Sequence, residues 1–159
     1  MKLVIKVITR LKRYFARKLR TYIVRRQVKK VGENFVCDED VKIYGGENIE
    51  IGDNVVLNKG VLLQSCEGAQ IIIENDVTIS YDAKIITGNL AKGGSLGRSH
   101  NVNDVIIHKN TWIGTNSIIL PGTVLNEGCV VAAGTVFNKT IPNKYVLIGG
   151  VPNQILKNL

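Results

Sequence analysis

From residue 31 onward an apolar residue recurs every six positions. Val31, Cys37 and Ile43 are six apart, as are Ile51, Leu57 and Leu63, and Ile73, Ile79 and Ile85. Ile107, Ile113, Ile119, Leu125, Val131 and Phe137 then follow without a break. A fixed short period marks a solenoid, and a period of six marks a parallel β-helix whose coils are three hexapeptides each. An antiparallel sandwich would instead show turns at roughly 8–12-residue spacing with alternation of period two, which fifteen six-residue beats exclude.

The interruptions are as informative as the beat. Grouped in threes, the beats are separated by 8, 10, 22 and 6 residues between successive triplets and by 6 within each triplet. Every insertion therefore leaves from the same corner of a triangular prism. Two are short, around Tyr44-Gly45-Gly46 and residues 65–70. The third, residues 88–104, is long, and loops beyond about 12 residues in a compact domain carry function or lack order. The residue four places after each beat must fit a corner: Val55, Val61, Val77, Ala83, Thr111, Ser117, Thr123, Cys129 and Thr135 are all small or β-branched. Gly, Asp and Asn in Gly52-Asp53-Asn54, Glu74-Asn75-Asp76 and at Gly128 supply turn geometry. The expected architecture is an all-β solenoid of five coils over residues 31–140, with an N-terminal helix before it and a C-terminal capping tail, 141–159.

Charge is divided unequally. Residues 1–30 hold twelve of the 21 Lys and Arg and none of the 13 acids, so the solenoid body is acidic and only the leader is basic. An acidic body argues against nucleic-acid binding. The leader reads as an amphipathic helix, with Val4, Ile8, Leu11, Phe15 and Tyr22 on one stripe, Leu19 beside it, and Lys6, Arg10, Arg13, Arg17 and Arg20 over the remainder. Two roles are open: its stripe caps the open end of the solenoid, or it lies on an anionic membrane surface. It is not apolar enough to span a bilayer. Cys37, Cys66 and Cys129 have no metal-ligand spacing and no signal-peptide cleavage pattern precedes them. The expected location is cytoplasmic, peripheral to the inner membrane face if the leader binds lipid.

One ordered set of motifs narrows the family. Trp112-Ile113-Gly114-Thr115-Asn116, Ile119-Leu120-Pro121-Gly122, Val131-Ala132-Ala133-Gly134-Thr135-Val136, Ile141-Pro142 and Gly150-Val151-Pro152 occur in sequence. Over residues 31–159 the chain resembles the hexapeptide-repeat acyltransferases, including maltose and galactoside O-acetyltransferases and those acting on capsule and O-antigen sugars. The resemblance implies a left-handed coil, an exception to the right-handed crossover rule. It also implies a homotrimer with acetyl-CoA as acyl donor in the groove between prisms, a sugar or glycan acceptor, and no metal. It implies direct transfer, with a histidine taking the proton of a sugar hydroxyl and backbone N–H groups stabilising the oxyanion.

In the family that histidine opens the long loop after a Thr-Gly-like step. Here the stretch is Ile86-Thr87-Gly88-Asn89-Leu90, and Asn89 or Leu90 stands in its place. The chain has two histidines. His108 directly follows a beat and reads as a structural turn residue, whereas His100 lies in the long loop and is the expected general base, with Asp104 or Asp82 as its orienting acid. Asn58 matches an acceptor-site Asn of the family. Trp112, Gly114, Thr115, Ala132 and Ala133 match the pantetheine groove. Lys139 and Lys157 match basic residues near the nucleotide end, where they would meet phosphates as point charges. The leading expectation is an acetyl-CoA-dependent O-acetyltransferase acting on a sugar or surface-polysaccharide hydroxyl. The alternative is a non-catalytic structural or glycan-binding trimer of the same fold. A zinc carbonic anhydrase would need three histidines on the metal, more than the chain has.

Overall fold

The computed structural model describes residues 2–90, 100–138 and 140–159, apart from the side chains of Leu3 and His100. The chain winds as a left-handed parallel β-helix of five coils. The first face stacks Lys30–Val31, Ile49–Ile51, Ile71–Ile73, Val105–Ile107 and Val124–Leu125. The second stacks Val36–Cys37, Val56–Leu57, Thr78–Ile79, Trp112–Ile113 and Val130–Val131, and the third Lys42–Tyr44, Leu62–Gln64, Lys84–Ile86, Ile118–Ile119 and Val136–Phe137. Equivalent beats pair in register from coil to coil: Ile51 with Ile73, Ile73 with Ile107, and Ile107 with Leu125.

Thirteen of the fifteen beat residues are buried, and so are all nine of the small or β-branched corner residues. Val31 and Ile43 are only partly buried. They belong to the first coil, which has no coil beneath it, and the helix that crosses there covers mainly the second face. Cys37 and Cys129 are core-packing thiols, and burial pushes Cys37 up to about 11.

The turns explain the Asn, Asp and Gly content. At the first corner the third residue after each beat is Asn34, Asn54, Asp76, Asn110 and Gly128; at the second it is Asp40, Gly60, Asp82, Asn116 and Gly134. All ten have positive φ, from 52° at Asn34 to 76° at Gly60, a conformation that other L-residues adopt at a cost. Asn34 Nδ2 donates to Asn54 Oδ1 at 3.0 Å, and Asn54 Nδ2 to Asp76 Oδ1 at 2.9 Å. Side chains thus continue the ladder that the backbone begins.

The N-terminal helix, α1 (Lys2–Gln27), docks by its C-terminal end and not by its apolar stripe. Val24 and, in the link that follows, Val28 are buried. Thr21 Oγ1 accepts from Cys37 N at 3.2 Å, and Arg25 donates to Gly32 O at 2.7 Å. The stripe expected to cap the prism is exposed: Val4, Ile8, Leu11, Phe15, Leu19 and Tyr22 are each about half open to solvent or more. Arg10, Arg13, Arg17 and Arg20 face the prism instead. At 100° per residue the stripe and this cationic face are on opposite sides of the helix. No helix among the described residues is long and apolar enough to cross a membrane.

The tail adds more than a cap. Ile141 bridges Leu125, and Val146–Gly149 pairs in parallel with Val130–Val131, giving part of a sixth coil. Gln154–Asn158 then folds back antiparallel on Val146–Gly149. This coil lacks the six-residue spacing, since Ile141 is four from Phe137. Ile113 sits at the centre of the stack and is fully buried. Ile113→Ala is expected to cost about 2–5 kcal/mol, because a cavity there cannot collapse between two paired coils; urea unfolding of the two proteins measures it.

Candidate active site

Two columns of residues run up the second corner, one residue per coil. Backbone hydrogen bonds fix the first: Asn58 N donates to Ile79 O, Ser80 N to Ile113 O, Gly114 N to Val131 O and Ala132 N to Ile148 O. The second follows one residue on: Gly60 N bonds Glu39 O, Asp82 N bonds Lys59 O, Asn116 N bonds Tyr81 O and Gly134 N bonds Thr115 O. Asn58, Ser80, Gly114 and Ala132 therefore stand in line, with Lys59, Tyr81, Thr115 and Ala133 beside them. Of the residues matched to the pantetheine groove, Gly114, Thr115, Ala132 and Ala133 fall on this corner, and Trp112 lies on the adjoining second face.

Trp112 is half exposed, yet its indole is held: Nε1 donates to Ser80 Oγ at 2.8 Å. The ring forms a fixed apolar wall beside a strip of small residues. Gly114 is required by packing, since a Cβ there would lie 2.6 Å from Ala133 N and Val131 O. The corner thus offers nearly bare backbone next to an aromatic surface. Asn58 is partly committed to the fold, for its Nδ2 donates to Ile79 O at 2.9 Å. Its Oδ1 is the atom able to accept from a hydroxyl.

The long insertion leaves from the third corner, as its spacing predicts. Its base is a hairpin in which Gly88–Leu90 pairs antiparallel with His100–Val102. Leu90 is paired with His100 and Asn89 with Asn101. The His100 backbone therefore lies directly across the ladder from Leu90, about 4.5–5.5 Å away. Its side chain, like Lys139, lies outside the described residues. Of the two candidate orienting acids, Asp104 shares this corner and accepts from Gln70 N at 2.8 Å through Oδ1. Asp82 belongs to the second corner.

His108 is at the first corner, remote from both columns. Its Nδ1 lies 3.0 Å from Glu74 Oε1 of the preceding coil, the structural role its turn position suggests. Lys157 is exposed on the antiparallel strand, paired with Leu147. No group of three or more metal-ligating side chains occurs among the described residues.

A sequence model described as "Bacterial transferase hexapeptide (six repeats)" matches residues 104–139. The putative lipopolysaccharide biosynthesis O-acetyl transferase WbbJ of Escherichia coli (strain K12) is 31% identical over 142 residues, which are 79% of this chain and 69% of that protein. The chain belongs to the hexapeptide-repeat acyltransferases. Galactoside O-acetyltransferase of the same organism is 27% identical over 144 residues, 88% of this chain and 68% of that one. A solved hexapeptide-repeat acetyltransferase of Vibrio cholerae, complexed with acetyl coenzyme A, superposes with a TM-score of 0.81 at 27% identity, over 89% of this chain and 77% of that one. A maltose O-acetyltransferase from Clostridium difficile gives 0.78 at 27% identity, over 86% and 73%.

As a hexapeptide-repeat acyltransferase, the chain is an enzyme of group transfer, and its second corner sets small residues beside the held indole. Three residues of that corner escape a reading by motif. Ser80 matters through Trp112, 32 residues away, and Lys59 and Tyr81 matter through what faces them across the helix. Trp112 is the chain's one tryptophan, so its fluorescence reports this site alone. Ser80→Ala is expected to shift the emission to the red as the indole N–H turns to water. It should cost about 0.5–1.5 kcal/mol in stability, the net worth of one hydrogen bond, measured by the same unfolding curve followed at that wavelength.

Proposed function

We propose that this acyltransferase moves the acetyl group of acetyl-CoA to a hydroxyl of a sugar or surface polysaccharide, as a homotrimer, with His100 as general base. The observation that carries the reading is the second-corner strip: small residues beside a tethered indole suit a thin pantetheine arm laid against backbone. Its partners among known proteins are named O-acetyltransferases, and the Vibrio cholerae relative was solved with acetyl-CoA.

Acetyl-CoA supplies the acyl group as an activated thioester. Trp112, Gly114, Thr115, Ala132 and Ala133 line its path, and Lys139 and Lys157 meet its phosphates. Asn58 accepts from the acceptor sugar through Oδ1. His100, as the neutral imidazole, takes the proton of the attacking hydroxyl while the new C–O bond forms, and the CoA thiolate leaves and is protonated in turn. The hairpin register supports this role, because His100 pairs with Leu90, one of the two residues, with Asn89, that can stand in place of the family's loop-opening histidine.

The same placement supports a trimer. The hairpin leaves the third corner, whereas Asn58 and the groove residues occupy the second corner and its face. Within one protomer these are different edges of the prism; a groove between neighbouring prisms unites them.

The outward stripe of α1 supports a membrane-surface contact. Val4, Ile8, Leu11, Phe15 and Tyr22 are exposed, and Lys12, Lys18 and Arg26 flank them. Such a stripe suits the interface of an anionic bilayer, with the prism held at the cytoplasmic face.

Two measurements test these readings. His100→Ala should lower kcat about 10²–10⁴-fold and leave acetyl-CoA affinity nearly unchanged, with His108→Ala mild; CoA-thiol release with sugar acceptors reads both. An equally active His100→Ala enzyme removes the base assignment. Phe15→Asp should abolish binding to anionic vesicles while the solenoid stays folded, and binding of the unaltered protein should weaken as salt rises. Equal binding to neutral vesicles would remove the lipid role.

A further inference from the structure

The cationic face of α1 is turned toward the prism, which leaves a question that neither capping nor lipid contact answers. Between helix and prism lies a cleft of about 460 Å³, lined by Arg10, Arg13, Arg17 and Arg20 on one side and Lys59 and Tyr81 on the other. Asp38 and Glu39 also border it, but both are already engaged. Asp38 lies 3.2 Å from Arg17 Nη2 and 3.7 Å from Arg20 Nη2, and Lys59 Nζ is 2.9 Å from Glu39 Oε1 and 3.6 Å from Asp40 Oδ2. Arg10 and Arg13 have no acidic partner among the described residues. The cleft holds five cations against two acids, in a body that is otherwise acidic.

Its position gives this charge a meaning. Glu39, Lys59, Tyr81 and Thr115 form one column, coil upon coil. At about 4.8 Å per coil, Lys59 is roughly 10 Å from Thr115 along the groove, a length on the scale of a sugar together with its phosphate and not of the ring alone. Asn58, the residue assigned to the acceptor, is the neighbour of Lys59 in the same turn. The cleft is therefore the continuation of the acceptor end of the groove, away from the acyl donor.

We infer that this cleft binds a phosphate or diphosphate joined to the acceptor sugar, so that the acceptor is a glycosyl phosphate and not a free sugar. The inference rests on the O-acetyltransferase reading and names its substrate class. The Arg10 and Arg13 guanidinium groups grip phosphate oxygens through paired N–H donors, a geometry that guanidinium supplies and ammonium does not. Lys59, shared with Glu39 and Asp40, adds an ammonium N–H donor from the prism side. The Tyr81 ring closes the floor beneath the bridging atoms. Two sources offer this chemistry, a nucleoside diphosphate sugar and a sugar diphosphate carried on a membrane lipid.

The test has a binding arm and a turnover arm, both on the full chain. In the first, inorganic diphosphate is titrated calorimetrically. The unaltered protein should bind it, with affinity falling as salt rises. The R10Q/R13Q double variant should bind about tenfold or more weakly, as loss of charge-assisted hydrogen bonds implies. The K12Q/R26Q variant, with the same charge change outside the cleft, should bind as the unaltered protein does. Lys59→Gln lies on the prism and should weaken binding independently, so a displaced helix is not mistaken for a lost ligand contact. In the second arm, kcat/KM for acetyl transfer is compared for a free sugar, its nucleoside diphosphate form and its diphosphate lipid in vesicles. At least one phosphorylated form should exceed the free sugar about tenfold or more, and R10Q/R13Q should erase the advantage through KM while sparing turnover of the free sugar. Equal turnover of all three acceptors with no diphosphate binding overturns the inference and leaves the O-acetyltransferase reading standing. Diphosphate binding with no acetyl transfer to any acceptor overturns that reading, and the assignment to an acceptor with it.

Discussion

Everything in this molecule depends on the backbone hydrogen bonds that join each coil to the next. They fix the register of beat on beat, so one beat residue and one small corner residue in each six fill the interior of the prism. They also require each corner to turn at the same place, which is why Asn, Asp or Gly recurs in the left-handed conformation along the first and second corners. With the scaffold set in this way, any side chain three places from a turn is aligned with its equivalent one coil away. The second corner is such an alignment: Asn58, Ser80, Gly114 and Ala132 need no loop to bring them together.

The same regularity separates what can vary from what cannot. Insertions leave from the third corner, where extra chain lies between two faces and breaks no ladder. The hairpin built on Gly88–Leu90 and His100–Val102 thus stands outside the ladders, while the second corner is held by packing. Gly114 illustrates the constraint, since the backbone of the next coil occupies the space of a Cβ. A glycine matched to a substrate groove is thus also a glycine the stack demands.

Much of this was legible in the sequence, and the losses have physical causes. The fifteen beats and the corner residues announce the coils, since burial in a narrow prism allows few side chains. The partial sixth coil was not legible, because Ile141 and Ile148 depart from the spacing once tail and prism compete for the end. The helix showed its two faces in the sequence but not which one meets the prism; that is decided by Thr21, Val24 and Val28 at its last turn and beyond. The Trp112–Ser80 bond joins residues 32 apart and becomes visible only when the long insertion is discounted. The place of His100 beside Leu90 depended on hairpin register, which the intervening sequence does not dictate.

The antiparallel strand Gln154–Asn158 has a consequence for the molecule among its own kind. A stack of parallel coils ends in strands with unpaired N–H and C=O groups, and two such ends from different copies are matched templates for one another. Reversing the last strand of the second face presents the wrong polarity for another coil to continue the winding. At the opposite end, α1 covers the first strand of the second face, and Thr21 Oγ1 takes the Cys37 N–H that another prism would need. The solenoid is thereby a rod of fixed length: it cannot grow into a filament by adding one prism to the end of another.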